Sequence, residues 1–113
     1  MRRDLLLITG MIDAAEQAIT LAAEVELVEL EGDRRRREAL LRNSTVLGEA
    51  AGAVSEDLRA EHPDIPRRSP ARLRHRIVHG YRSVDLELLQ TTARDDLPAL
   101  VDRLRAVEAD LRR

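Results

Sequence analysis

Between Arg67 and Arg82 the chain reads RRSPARLRHRIVHGYR, with six arginines, two histidines, one tyrosine and no acidic residue. The whole chain of 113 residues carries a net charge of −2, so this stretch is a strong local reversal of sign. Two readings follow from composition. Either an Arg-rich helix pairs its charges with acidic neighbours, or the strip binds phosphate, since each guanidinium offers a planar fork of donors to phosphate oxygens.

Arg74 and His79 sharpen the choice. Cleaving a ribose phosphodiester without a metal needs a proton acceptor for the 2′-hydroxyl, a proton donor for the leaving 5′-oxygen and a cation beside the crowded phosphorus. A histidine titrating near neutrality and a permanently charged arginine supply those roles. Arg72 and Arg82 extend the strip as phosphate contacts, and His75 and Arg76 stand beside the pair as orienting or auxiliary groups. Five residues of ideal helix separate Arg74 from His79 by about 140° around the axis. Either the helix loosens before Gly80, or the cooperating Arg and His come from two copies facing each other across a two-fold axis.

His75 and His79 lie one turn apart, but no carboxylate or thiol lies within a turn to complete a coordination set, so no metal site is assigned. Nor does the sequence imply a cofactor. Cysteine is absent, which excludes disulfides, thiolate metal sites and a cysteine nucleophile.

The elements that must hold this strip read as helical. Apolar residues make up 43% of the chain and charged residues 35%, which suits helices with one buried stripe and one solvated face. Tyr81 is the one aromatic residue, so the core must be built from aliphatic side chains and methionine, an inventory better suited to helix packing than to sheets. All 19 basic residues are arginine, which reads first as a coding bias.

Leu5, Ile8, Ile12, Ala15, Ile19 and Ala22 alternate spacings of three and four and predict a first helix of about 20 residues. Val25 to Glu31 alternates apolar and acidic residues, but a lone strand would lack a partner, and a short helix ending at Gly32 is preferred. A second, longest helix is expected from about Asp33 to Ala60, with Gly48 and Gly52 one turn apart for close approach of a neighbour. Glu31 with Arg35 and Asp33 with Arg37 fall at i,i+4 spacing, suggesting a solvated face laced with ion pairs. Three prolines mark His62 to Pro70 as a surface loop.

A third helix is expected from Pro70 to near Gly80. Asp85 is expected to cap a fourth helix containing Leu86, Leu88 and Leu89. A fifth would be capped by Asp95, with Pro98 in its first turn and Leu97, Leu100, Val101, Leu104, Val107 and Leu111 buried. The expected fold is therefore an all-α, up-and-down bundle of four to five helices, in one domain over residues 1–113. Arg2 and Arg3 precede an apolar run that Asp13 interrupts, too short for a leader or a membrane span, and a soluble, cytoplasmic protein without membrane contact is expected.

Arg74-His75-Arg76-Ile77-Val78-His79-Gly80-Tyr81 resembles the signature of HEPN domains, an Arg, a polar residue, three further residues and a His. The Gly-Tyr that follows is similar to the HepT-like branch in particular. Leu41-Arg42-Asn43, Val46-Leu47-Gly48-Glu49-Ala50, His62-Pro63-Asp64-Ile65-Pro66, Val84-Asp85 and Asp96-Leu97-Pro98 resemble that branch in the same order. The resemblance implies a dimeric helical bundle whose Arg74 and His79, from both subunits, line an RNA-cleavage cleft. It also implies a ribonuclease toxin of a type VII-like toxin–antitoxin pair, with RNA, tRNA included, as substrate. Its cognate antitoxin would be a nucleotidyltransferase that attaches AMP to the tyrosine of the motif, here Tyr81. Arg82 and Arg67 stand where relatives often carry aromatic residues. Two alternatives accompany this reading: a HEPN bundle that binds nucleotide or RNA without cleaving it, and a structural dimerisation module. For Tyr81 the alternative is a half-buried ring anchoring the loop after the third helix.

Overall fold

The computed structural model describes residues 2–66 and 86–113, and every regular element within them is helical. Helix α1 spans Arg2–Ala22 and buries Ile8, Ile12, Ala15 and Ala22 of the expected stripe, whose Leu5 and Ile19 are only half-buried, and Met11 in addition. Ala14 and Ala18 are buried as well, because α1 is covered by two partners and needs a wider apolar stripe than one neighbour would require. By length and composition α1 could cross a membrane; here its apolar face packs on the third and last helices of the bundle.

The chain then turns through Glu24, which holds the left-handed conformation at φ 56°. Side chains from distant elements fill the open end of α1. Arg36 Nη1 donates to Leu21 O at 3.2 Å, Arg94 Nε to Ala22 O at 2.8 Å, and Arg94 Nη2 and Gln90 Nε2 to Val25 O at 2.5 and 2.7 Å. Cationic donors at a helix C-terminus satisfy orphan carbonyls and complement the dipole.

The alternating segment forms a helix, α2 (Leu27–Gly32), with Leu30 in the core and Val28 outside. Asp33 then caps α3 (Arg34–Ala53), its Oδ1 accepting from Arg36 N at 3.1 Å. This junction overturns the expected Glu31–Arg35 and Asp33–Arg37 ladder, because Glu31 and Arg35 lie in different helices and the Asp33 carboxylate, as the cap of α3, is turned to Arg36. Instead Arg34 pairs with Glu38 at 2.9 Å, Arg36 lies 3.7 Å from Asp33, and Arg37 donates to the backbone carbonyl of Glu31.

The expected helix to Ala60 is also two helices. α3 ends at Ala53, and α4 (Glu56–Glu61) begins after Ser55, so α1 at 21 residues is longer than α3 at 20. Ser55 caps α4 by accepting from Leu58 N at 3.2 Å, and buried Asp4 fixes that cap, receiving Ser55 N at 3.0 Å and Ser55 Oγ at 2.6 Å. A serine followed by Glu56 and Asp57 is a good start for a new helix, and Asp4 locks the break. Of the two glycines, Gly48 is buried, whereas a Cβ on Gly52 would meet open space and Gly52 serves no close approach.

After residue 85 the chain is helical from Leu86 to Leu111: α5 (Leu86–Thr91), a π-helical turn (Thr92–Asp96) and α6 (Leu97–Leu111). Asp85 lies outside the described residues. Asp95 is not a cap but sits inside the π turn, and the helix passes through where a separate fifth helix was expected. Leu97 N donates to Thr92 O, the i→i+5 spacing that widens a helix. Pro98 follows, and its ring would crowd the carbonyl four residues back in a regular α-helix; the wider turn accommodates it. The stripe Leu97, Leu100, Val101, Leu104 and Val107 is buried as predicted, with Leu111 packed at its edge.

The bonds between helices give their directions. Asp4 meets Ser55 and Leu21 meets Arg36, so α1 and α3 are antiparallel; Ala22 meets Arg94 and Glu16 meets Arg105, so α6 also runs against α1. The result is an all-α, up-and-down bundle around an aliphatic core.

Candidate active site

The residues singled out for chemistry, Arg72, Arg74, His75, Arg76, His79, Tyr81 and Arg82, all lie outside the described residues, as does the helix expected between Pro70 and Gly80. The described bundle shows the frame on which that segment is mounted.

On the entry side, the loop after α4 is anchored rather than merely lying on the surface. Ile65 N donates to His62 O at 3.1 Å, and the Ile65 side chain is buried. His62 Nε2 lies 3.5 Å from Asp110 Oδ2, and Arg103 Nε lies 3.9 Å from Asp64 Oδ2, so both contacts tie the loop to α6. On the exit side, Leu89 and Gln90 are buried, and the Gln90 amide is bonded to the turn after α1. Pro66 and Leu89 line one cavity, so the chain leaves the described bundle at 66 and rejoins it at 86 in the same neighbourhood.

That cavity has a volume of about 90 Å³ and lies between α3, α5, the π turn and α6. Leu47, Leu89, Ala93, Leu97 and Leu100 give it apolar walls, and Ser44, Thr92, Asp96 and Arg103 its polar groups. A second, more open recess of about 400 Å³ is lined by Arg59, Pro63, Asp64, Ile65 and Pro66. Arg59 is buried; its Nη2 donates to Ala51 O, its Nε lies 4.0 Å from Glu56, and its Nη1 has no hydrogen-bond partner among the described residues. Sequence reading missed Arg59, Gln90 and Arg94 as buried or bridging polar anchors. Their partners are backbone carbonyls, which carry no signature in the residue pattern.

Asp4 stands at the far end of the frame. Burial raises its pKa, but the side-chain and backbone hydrogen bonds from Ser55, with the charge of Arg3, outweigh that and hold the carboxyl below its usual 3.8.

An all-α bundle whose sequence carries an Arg-x4-His segment between a Pro-rich loop and its last helical stretch defines the class of protein. The family described as Ribonuclease HepT-like matches residues 11–107, and the chain belongs to that family of HEPN ribonucleases. The match extends well N-terminal of the motifs that carry the resemblance in the sequence. "Probable ribonuclease HepT" of Thermococcus cleftensis is 35% identical over 68 residues, 60% of this chain and 62% of that protein, which is less than two thirds of its length. Two proteins of Methanocaldococcus jannaschii that carry RNase names are 24% and 25% identical, over 86% and 85% of this chain and 89% and 83% of theirs. No solved structure matches the chain.

Proposed function

We propose that the protein is a metal-independent endoribonuclease toxin of a type VII-like toxin–antitoxin pair, acting as a homodimer in the cytoplasm. The observation that carries this reading is the intact Arg74-x4-His79-Gly80-Tyr81 sequence in a chain that belongs to a ribonuclease family. In the reaction, the 2′-oxygen of RNA attacks the adjacent phosphorus as the P–O5′ bond breaks, leaving a 2′,3′-cyclic phosphate and a 5′-hydroxyl. His79 carries the protons of that exchange, and Arg74 stabilises the charge gathering on the phosphoryl oxygens. His75 and Arg76 orient the pair, while Arg72 and Arg82 hold flanking phosphates. A two-fold arrangement brings Arg74 and His79 from both copies into one cleft.

Tyr81 is the regulatory handle. A nucleotidyltransferase antitoxin transferring AMP to its hydroxyl would place a phosphodiester among Arg74, Arg76 and Arg82, occupying the cations that substrate needs. The test is cleavage of RNA by the purified chain in excess EDTA, with end analysis for cyclic phosphate and light scattering for the dimer. Activity that disappears with EDTA and returns with one divalent ion refutes the metal-independent mechanism. Co-expression with a nucleotidyltransferase should add AMP to the wild type and not to Tyr81→Phe; modification of both variants refutes the regulatory role.

A further inference from the structure

Among the described residues, Arg59 alone has a buried side-chain polar atom without a hydrogen-bond partner. The side chain is 7% exposed. Its Nη2 donates to Ala51 O in the last turn of α3, and its Nε lies 4.0 Å from Glu56, whose own side chain is 75% exposed. Nη1 is the atom left over. A buried guanidinium stays charged, and a buried charge is ordinarily matched by close oxygen atoms. A solvated carboxylate at the outer limit of an ion pair is weak compensation. Capping α3 accounts for Nη2 and leaves Nη1 unexplained.

Arg59 lines the open recess of about 400 Å³ whose other walls are Pro63, Asp64, Ile65 and Pro66. The two prolines have no N–H to offer, and the N–H of Ile65 is spent on His62 O. Asp64 is the acidic group among these residues, and its carboxylate lies 3.9 Å from Arg103 on α6. A largely apolar recess with one unsatisfied cationic donor has the character of an anion site. We propose that the recess at Arg59 seats a phosphate group, one of whose oxygens accepts from Nη1. A planar carboxylate is held best by two parallel donors, and here Nη2 and Nε are already engaged. A tetrahedral phosphate presents one oxygen to a single donor and keeps the others in the open mouth. None of the lining residues belongs to the Arg67 to Arg82 stretch, and the site does not depend on the ribonuclease reading. Free phosphate and the backbone of a nucleic-acid strand both carry this group, and titration tells them apart.

The experiment uses the full wild-type chain. The Arg59 Nε–H resonance and the amides of Arg59, Asp64 and Ile65 are followed by NMR during titration with inorganic phosphate, with chloride at matched ionic strength as the control. A second titration uses a 2′-O-methyl oligoribonucleotide, which has no 2′-hydroxyl to attack its own phosphate. Phosphate should shift these resonances to saturation, and chloride should not. If a strand supplies the group, the oligonucleotide shifts the same resonances at a concentration lower by about 10-fold or more; if free phosphate does, the oligonucleotide leaves them unmoved. Both results support the anion site. Resonances that neither ligand moves, or that chloride moves equally, overturn it and leave Arg59 as a cap of α3. Arg59→Gln should abolish the saturable shifts at Asp64 and Ile65, and saturation that survives in a folded Arg59→Gln overturns the assignment. Asp64→Asn decides even if Arg59→Gln fails to fold. At a position whose side chain is 57% exposed it removes a charge that repels anions, so phosphate should bind about threefold more tightly; unchanged or weaker affinity overturns the site. RNA cleavage is not among these readouts, so its failure bears on the ribonuclease reading alone.

Discussion

Asp4→Asn is the most exacting test of how the frame is held. The carboxylate receives two hydrogen bonds from Ser55, at 3.0 Å from the backbone and 2.6 Å from the hydroxyl, and is itself buried. Hydrogen bonds to a charged group contribute about 1.5–3 kcal/mol each. Asparagine keeps one acceptor and turns a donor toward Ser55 Oγ, so it loses roughly one such bond, about 2 kcal/mol. For a domain of this size that corresponds to a fall in Tm of about 8 °C. Asp4→Ala removes both bonds and leaves the Ser55 donors without their partner, so it should cost more. The effect must also depend on pH with a fixed sign. The Asp4 carboxyl titrates below its ordinary 3.8, so its contribution is fully present above that pH and is lost as pH falls through the lowered native value. Circular dichroism melts should therefore show a constant gap between wild type and Asp4→Asn from neutral pH to about pH 5, closing in more acidic solution. A double-mutant cycle with Ser55→Ala should give a coupling of about 1 kcal/mol or more. A gap that persists unchanged into acid, or a coupling near zero, refutes the assignment of the α3–α4 break to this pair.

Three further outcomes are expected. Glu24→Gly relieves a left-handed backbone that costs an L-residue about 1–2 kcal/mol, so the variant should melt a few degrees higher; an unchanged or lower Tm refutes the strain at that position. Arg94→Ala uncaps Ala22 O and Val25 O and should destabilise by about 1–3 kcal/mol, with faster amide exchange at the C-terminal turn of α1 in particular. His79→Ala and Arg74→Ala should each lower RNA cleavage by about 100-fold or more with Tm unchanged; wild-type turnover in either variant removes that residue from the catalytic assignment.

Periodicity made much of this fold legible. The stripes of α1 and α6 follow directly from spacings of three and four, and Gly32 ends α2 where a helix terminator stands in the sequence. What was not legible depends on partners remote in sequence. The break at Ser55 is fixed by Asp4, a residue 51 positions away, and no local pattern distinguishes Ser55 from Ser44 or Thr45 within a helical run. The π turn has only Pro98 to announce it, and a proline there reads equally well as the first turn of a new helix. The Glu31–Arg35 pair failed because charge spacing has meaning only inside a continuous helix, and Asp33–Arg37 because the Asp33 carboxylate serves as the cap of α3. For the site, the Arg-rich motif was visible as a charge reversal and as a family pattern. Arg59 was not, since its partner is the backbone carbonyl of Ala51, which carries no signature in the residue pattern.

The π turn also gives the last helix a place where chain length can change without disturbing the core. Its i→i+5 spacing fits one residue more than an α-helix would hold over the same arc, so Leu89 and Gln90 before it and Leu97 and Leu100 after it face the same core. Losing one residue inside the turn would restore ordinary helical spacing and leave both faces where they are, provided that Pro98 is replaced and Arg94 keeps its bonds to Ala22 and Val25. Losing one residue within α5 or α6 would instead turn one face by about 100° and take its leucines out of the core. In descendants of this chain, single-residue length changes in the last helix should therefore fall at the π turn, together with a change at Pro98, and be rare on either side of it.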